Sequence, residues 1–185
     1  MTDSNTPVLP DLAEAEHLAI LCGVDEDDEK VALALRRASA RFRGAVRHPV
    51  TLVEGDTVEL NGDGGKSLHL PAAPVHGTPT VTVEGEPVTD FTIDRNAGIL
   101  HRRYGWPKQL GAITVTYDHG YKTVPPDIED AVLEQAHTIY SVLPAVQQMS
   151  QGGRSITFSL NAATGVTQRW ADTVAKYKLN GGDAA

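Results

Sequence analysis

The run from Tyr104 to Ala131, YGWPKQLGAITVTYDHGYKTVPPDIEDA, admits few backbone paths, because it joins a strand, a tight turn and a helix start through residues with narrow conformational choices. Ile113, Val115 and Tyr117 alternate with Thr114 and Thr116, the period of two expected of a strand with one buried and one wet face. His119 and Gly120 follow where glycine permits positive φ. Val124, Pro125 and Pro126 are held extended, since a residue before proline avoids the helical region. Asp127 then offers an acceptor to the free amides of a helix start. Trp106, Tyr117, Gly120, Pro125 and Asp127 are therefore expected to form a rigid structural corner.

A chain of 185 residues with 41% hydrophobic content can bury enough core for one large domain or two small cooperating units. Its 24 acidic and 16 basic side chains leave a net charge of −8. That balance argues against a generally basic nucleic-acid surface and against attraction to an anionic membrane, yet lets DNA pass nearby without adhering. Cys22 is the only cysteine, so neither an intrachain disulfide nor a cysteine-based metal site forms, and a reducing cytoplasm suits folding. Met1 to Pro10 is short and polar, unlike a signal peptide, and no apolar run reaches the ~20 residues that span a bilayer. A soluble protein is expected.

Organisation changes three times along the chain. After a polar arm, Asp11 and Glu14 resemble a capping box opening a short helix with Leu12, Ala15, Ala19 and Cys22, which Gly23 is placed to end. A second helix, starting near Asp25, sets Val31, Ala34, Leu35, Ala38, Phe42 and Val46 along one side. Its first turns hold Asp25 to Glu29 and its far part Arg36, Arg37, Arg41, Arg43 and Arg47. The arginines suit phosphate or an acidic partner, but acid at a helix start and base at its end also complement the helix dipole, which is the plainer account.

Pro49 marks the change to β structure. Thr51 to Leu60, Ser67 to Leu70, Pro79 to Glu84, Pro87 to Asp94, Gly98 to Arg102 and Ala112 to Tyr117 read as short strands between Gly, Pro, Asn and Asp turns. Val81 and Val83, a Glu84-Gly85-Glu86 turn and Val88 read as a hairpin, so antiparallel pairing is expected. From Asp127, Ile128, Ala131, Val132, Ala136, Ile139, Tyr140 and Leu143 recur at helical spacing, to pack on the two N-terminal helices until Pro144 ends or bends the helix. Beyond Gly152-Gly153, Ile156, Phe158 and Leu160 alternate as a strand, and a short helix from Thr167 carries Trp170, Val174 and Tyr177 on one face. Such a helix is marginal alone and needs a surface for its aromatics, in its own chain or another.

The chemical motifs are weak. Gly62 to Ser67 has the flavour of a phosphate loop, but Leu60 stands where the first glycine belongs and no helix pattern follows, so a turn is expected. Asp118 and His119 are adjacent on a strand and point apart, with no convergent nucleophile. The seven histidines form no metal motif, and no metal or cofactor is expected. Trp106 before Pro107 reads as a core anchor.

Trp106-Pro107, Val115-Thr116-Tyr117 with His119-Gly120-Tyr121, Val124-Pro125 with Asp127-Ile128, the upstream Leu68, Leu70-Pro71-Ala72 and Pro74-Val75, Ile99 to Arg102, and Gly165-Val166-Thr167 with Trp170 together resemble the head-to-tail connector (adaptor) proteins of long-tailed bacteriophages, particularly those of actinobacterial hosts. These are scaffold residues, and they name no reactive atom. The resemblance implies a non-enzymatic virion protein at the head–tail junction, assembled in the host cytoplasm. It implies a twelve-copy ring of this chain, bound to the portal and to a stopper or tail-terminator protein, through which DNA passes without sequence-specific binding. The expected fold is α+β: a flexible arm (1–10), a small helical bundle (11–48 and 125–147), an inserted antiparallel β module (49–124), and an extended C-terminal strand–helix assembly tail (148–185). Ile156, Phe158, Leu160, Trp170, Val174 and Tyr177 are the expected portal or neighbouring-subunit interface. The alternative is a β module that binds carbohydrate or another small ligand on Tyr104, Trp106, Tyr117 and Tyr121.

Overall fold

The structure, a computed structural model, describes residues 9–148 and 167–179. Residues 1–8 of the expected arm and the expected strand with Ile156, Phe158 and Leu160 lie outside the described residues. Among the described residues there are four helices and two antiparallel sheets, an α+β arrangement. They fall into two compact units, one formed by the chain up to Arg47 with Val124–Lys178 and the other by His48–Thr123.

The first unit is helical. Helix α1 spans Ala15–Cys22, α2 Glu29–Val46, α3 Pro126–Gln148 and α4 Gln168–Tyr177. The expected apolar side of α2, Val31, Ala34, Leu35, Ala38, Phe42 and Val46, is buried throughout. Ile128, Ala131, Val132, Ala136 and Ile139 of α3 are buried as well, and α1, α2 and α3 touch one another pairwise.

Two helix starts differ from the sequence reading, and of the two outcomes expected at Pro144, an end or a bend, the structure excludes the end. Helix α1 starts at Ala15, because Leu12 turns into the core and donates its amide to Ser39 Oγ of α2 at 3.0 Å. Helix α2 starts at Glu29, because Asp28 is the residue whose carboxylate accepts from the Lys30 amide at 2.8 Å, the geometry of an N-cap. Helix α3 continues past Pro144 to Gln148, since a proline removes one amide donor without by itself capping a helix. Gly23 does close α1, at φ 68°, with its amide returned to the last turn.

The second unit is a pair of sheets. Strand β1 is Val53–Leu60, β2 Ser67–His69, β3 Val75–Val83, β4 Glu86–Val88, β5 Phe91–Asp94, β6 Ile99–Arg102 and β7 Ile113–His119. The first sheet has the order β1-β7-β3-β4 and the second β2-β6-β5, all neighbours antiparallel. The expected hairpin is present: Val83 pairs with Glu86, and Glu84 and Gly85 take φ of 53° and 87°, as a two-residue turn of the I′ kind requires. Strand β3 begins four residues earlier than expected, and the single strand expected from Pro87 to Asp94 is two strands in different sheets. The chain changes sheet at Thr89-Asp90, where Asp90 holds Arg102 Nε at 2.8 Å, and this turns Phe91 and Ile93 onto the core.

That core is shared by both sheets: Leu68 and Leu100 from one, Val75, Val81, Ile113, Val115 and Tyr117 from the other, with Trp106 among them. Leu100 has no exposed surface, whereas Leu110, in the connection before β7, is 81% exposed. Leu100→Ala is therefore expected to cost about 2–5 kcal/mol of stability by the cavity rule, and Leu110→Ala less than about 0.5 kcal/mol. Urea unfolding of the two variants checks this, and equal midpoints would contradict the assignment of the core.

Candidate functional site

The end of β7 is tethered to neighbouring segments by backbone hydrogen bonds and one histidine. Gly120, at φ 92°, donates its amide to the Pro74 carbonyl at 2.9 Å, and its own carbonyl accepts from His76 Nε2 at 2.6 Å. The next amide, Tyr121, donates to the Val50 carbonyl at 2.7 Å, and the Tyr121 carbonyl accepts from Leu52 at 3.0 Å. A Cβ on Gly120 would collide with the Thr51 carbonyl and stand 2.9 Å from the Val50 carbonyl oxygen. Glycine is thus required twice here, for its dihedral and for its missing side chain. Val50 sits opposite at φ 70°, a costly region for a β-branched residue, held by full burial and by hydrogen bonds on both its amide and its carbonyl.

Two side chains of β7 just before this point are buried and polar. His119, 1% exposed, donates Nε2–H to Asp56 Oδ2 of β1 at 3.0 Å, and its ring lies 4.8 Å from that of Tyr117. In this tautomer the buried Nδ1, which has no partner, is a lone pair, less costly to leave unmet than an N–H. Burial pushes the Tyr117 phenol up to about 12, with the Ala72 backbone opposing, and its hydroxyl lacks a partner of good geometry. Asp118 points the other way and caps the β1 bulge by accepting from the Gly55 amide at 2.7 Å. The adjacent acid and histidine are therefore parts of two separate structural contacts, as the strand alternation implies. The pairing of His119 with Asp56 was not legible in sequence, since 63 positions separate them.

Trp106 anchors the β core as expected: it is 3% exposed, 6.4 Å from Phe91 ring to ring, with Nε1 donating to the Leu100 carbonyl at 3.4 Å and the Arg102 guanidinium over its face. Tyr117 is equally buried, while Tyr104 is 82% exposed, so the four aromatics of a sugar platform do not share a surface. Gly62 to Ser67 is a turn leading into β2, its Gly65 amide held by Asp63 Oδ1 at 2.6 Å, with no helix to receive a phosphate. Among the described residues no three His, Cys, Asp or Glu side chains group as metal ligands.

Pro125 and Asp127, the other expected corner residues, belong to the helical unit. The Pro125 carbonyl accepts from Ile128 and Glu129 at the start of α3. Asp127 lies inside the first turn and does not serve as the cap; its carboxylate accepts from Lys176 Nζ and Tyr177 Oη of α4, both at 2.7 Å. Burial raises the Asp127 carboxyl, but these two bonds outweigh it and hold the group below its ordinary value. The described part of the expected assembly tail thus packs on its own chain. Trp170 is 8% exposed, edge-on to Phe42 of α2 at 5.3 Å and 90°, and Thr167 caps α4 while its hydroxyl reaches Glu134 Oε2 of α3 at 3.0 Å. Val174 and Tyr177 are half-buried on the same helix. Lys176 is committed to Asp127.

Two outcomes follow. Gly120→Val is expected to lower the melting temperature well beyond Lys122→Ala, by several degrees, because the first forces strain and collision and the second touches an exposed side chain; equal melting temperatures would refute it. Because the Asp127 carboxyl is depressed when folded, its contribution to holding α4 is complete above the ordinary value of 3.8 and is lost as pH falls through the lower folded value. The Tyr177 ring resonances are expected to shift below about pH 3.8 while Trp170 stays packed on Phe42, and Asp127→Asn is expected to remove that transition.

No family model matches the chain, and no curated protein does. Among solved structures it is similar to a chain in the neck of an empty GTA (gene transfer agent) particle computed with C6 symmetry, at 17% identity and a TM-score of 0.55, over 96% of this chain and 95% of that one. A chain in the neck of a native GTA particle computed with C12 symmetry is also similar, at 18% identity and a TM-score of 0.46, over 92% of this chain and 94% of that one. The first likeness shows a shared fold across nearly the whole length of both chains.

Proposed function

We propose that this chain is a structural protein of a phage-like particle neck, a connector that closes into a ring between the portal and a stopper or tail-terminator protein and lets DNA pass through. The observation that carries the reading is the shared fold with a gene-transfer-agent neck chain, which extends over both units and over 95% of the other chain instead of matching one common module. Physically, a ring built from one repeated heterologous contact suits a head–tail junction, because rotation closes it without leaving a growing end. A net charge of −8 discourages adhesion of passing phosphates. In this reading the protein acts in the virion and binds without catalysing, and Ile156, Phe158 and Leu160, with the half-buried Val174 and Tyr177 of α4, are assigned to contacts with the portal or a neighbouring subunit. Twelve copies is the ring size the reading adopts.

The carbohydrate-binding alternative loses its platform, since Trp106 and Tyr117 are buried. Removing everything after Gly153 would strip Trp170 from Phe42 and so test folding as much as attachment. The cleaner experiment mixes full-length protein with portal-bearing, tail-less heads and follows co-sedimentation and negative-stain images. A ring of protein at a single vertex is the expected outcome. Protein that stays in the supernatant at about 10 μM, well above typical assembly affinities, would sink the proposal.

A further inference from the structure

Helix α2 carries a run of exposed positive charge. Arg36, Arg37, Arg41 and Arg47 are exposed, with the small residues Ala40 and Gly44 exposed between them. At 100° per residue, Arg36 and Arg47 fall on one flank of an Ala40–Gly44 track and Arg37 and Arg41 on the other. The dipole account does not reach Arg36 and Arg37, which stand more than two turns before the helix ends at Val46. No acid occupies a position three or four residues from either of them, and Arg41 repels Arg37 at a spacing of four. Among the described residues, no ion pair engages Arg36, Arg37 or Arg47.

The complementary surface is on the same unit. Asp25, Glu26, Asp27 and Glu29 are exposed at the opposite end of α2, directly after the exposed apolar pair Ile20 (70%) and Leu21 (56%) at the end of α1. Glu29, the acid nearest in sequence to Arg36, is seven residues away, about 10 Å along the axis, which is roughly a Debye length at 0.1 M salt and beyond contact. The acids at the start of α2 therefore do not reach the arginines of the same helix, whereas those of a second copy offset along α2 can.

We infer that the Arg36/Arg37/Arg47 face of α2 docks the acidic end, Asp25 to Glu29 with Ile20 and Leu21, of a second copy of this chain. The contact is heterologous: each copy presents a basic and an acidic surface, and repetition propagates around a ring. Small residues between the arginines admit the neighbour's loop closely, and Ile20 and Leu21 supply the apolar burial that paired charges alone do not. The inference rests on the ring-forming reading above, in that it names the neighbour's contact.

Charge reversal tests it in full-length protein. Arg36→Glu/Arg37→Glu leaves the Arg36/Arg37/Arg47 face at −1, so both surfaces are acidic, and Asp25→Lys/Glu26→Lys/Asp27→Lys takes Asp25 to Glu29 from −5 to +1, so both are basic; all five sites are exposed, and circular dichroism confirms folding. Mass photometry and sedimentation across a salt series are expected to show wild-type protein associating, about tenfold more weakly at high salt, with each variant alone shifted to monomer. An equimolar mixture of the two variants is expected to associate again, because acidic and basic surfaces then alternate. Variants that associate like wild type, or a mixture that stays monomeric, would overturn the contact. So would a monomeric wild type whose Arg36 and Arg37 instead retain a DNA duplex. Reversed variants that still form a ring at the portal vertex would overturn this contact while leaving the neck reading intact; a wild type that associates by this contact yet ignores portal-bearing heads would do the reverse.

Discussion

The β unit depends on what happens in the two residues after β7. That strand is central in its sheet, paired to β1 on one side and β3 on the other, so any error at its end is transmitted to both neighbours. The structure resolves the crowding by removing a side chain: at Gly120 the backbone packs against the carbonyls of Val50 and Thr51, and its amide and carbonyl are used by Pro74 and His76. Both partner strands are irregular just where they meet this end, β1 between Val53 and Asp56 and β3 between His76 and Thr80. The irregularities are satisfied by Asp118 on the Gly55 amide and by Arg95 on the Gly77 carbonyl. A bulge on each flank bends and twists a sheet locally, and here the side-chain partners keep the exposed backbone groups bonded.

In the helical unit the corresponding role falls to Phe42, fully buried on α2 and met edge-on by Trp170. A ten-residue helix is too short to persist on its own propensity. Its order comes from one aromatic anchor, a threonine cap, and the pair of bonds from Lys176 and Tyr177 to Asp127. Those bonds are more than a third exposed at the lysine and aspartate and so contribute direction more than energy. The apolar contact contributes most of the stability, and the polar ones set where the helix lies.

Charge is distributed unevenly on a chain that is acidic overall. Arg36, Arg37 and Arg47 are exposed along α2, and Asp25, Glu26, Asp27 and Glu29 are exposed at the other end of the same helix. Such a dipolar element is neutral to itself at long range and complementary to a shifted copy, which is the simplest electrostatic recipe for a repeating contact. Together with a fold shared over nearly its whole length with a particle-neck chain, this connects the physical chemistry of one helix to the proposed ring.

The local periods determined much of this protein from sequence alone. The apolar faces of α2 and α3, the alternation of β7, the Glu84-Gly85 hairpin, the end of α1 at Gly23, the buried Trp106 and the need for glycine at 120 all follow from spacing and backbone sterics between near neighbours. Tertiary structure decided the rest. Leu12 leaves the helix because Ser39 takes its amide; the strand expected from Pro87 to Asp94 is divided because Phe91 and Ile93 find their core in a second sheet; Asp127 is drawn from capping to holding Lys176 and Tyr177. His119 and Asp56 meet across 63 positions, and Trp170 meets Phe42 across the fold of the helical unit. In each case a short-range preference worth about 1 kcal/mol yields to burial or to a hydrogen bond with a distant residue, and a single sequence carries no record of which distant residue that is.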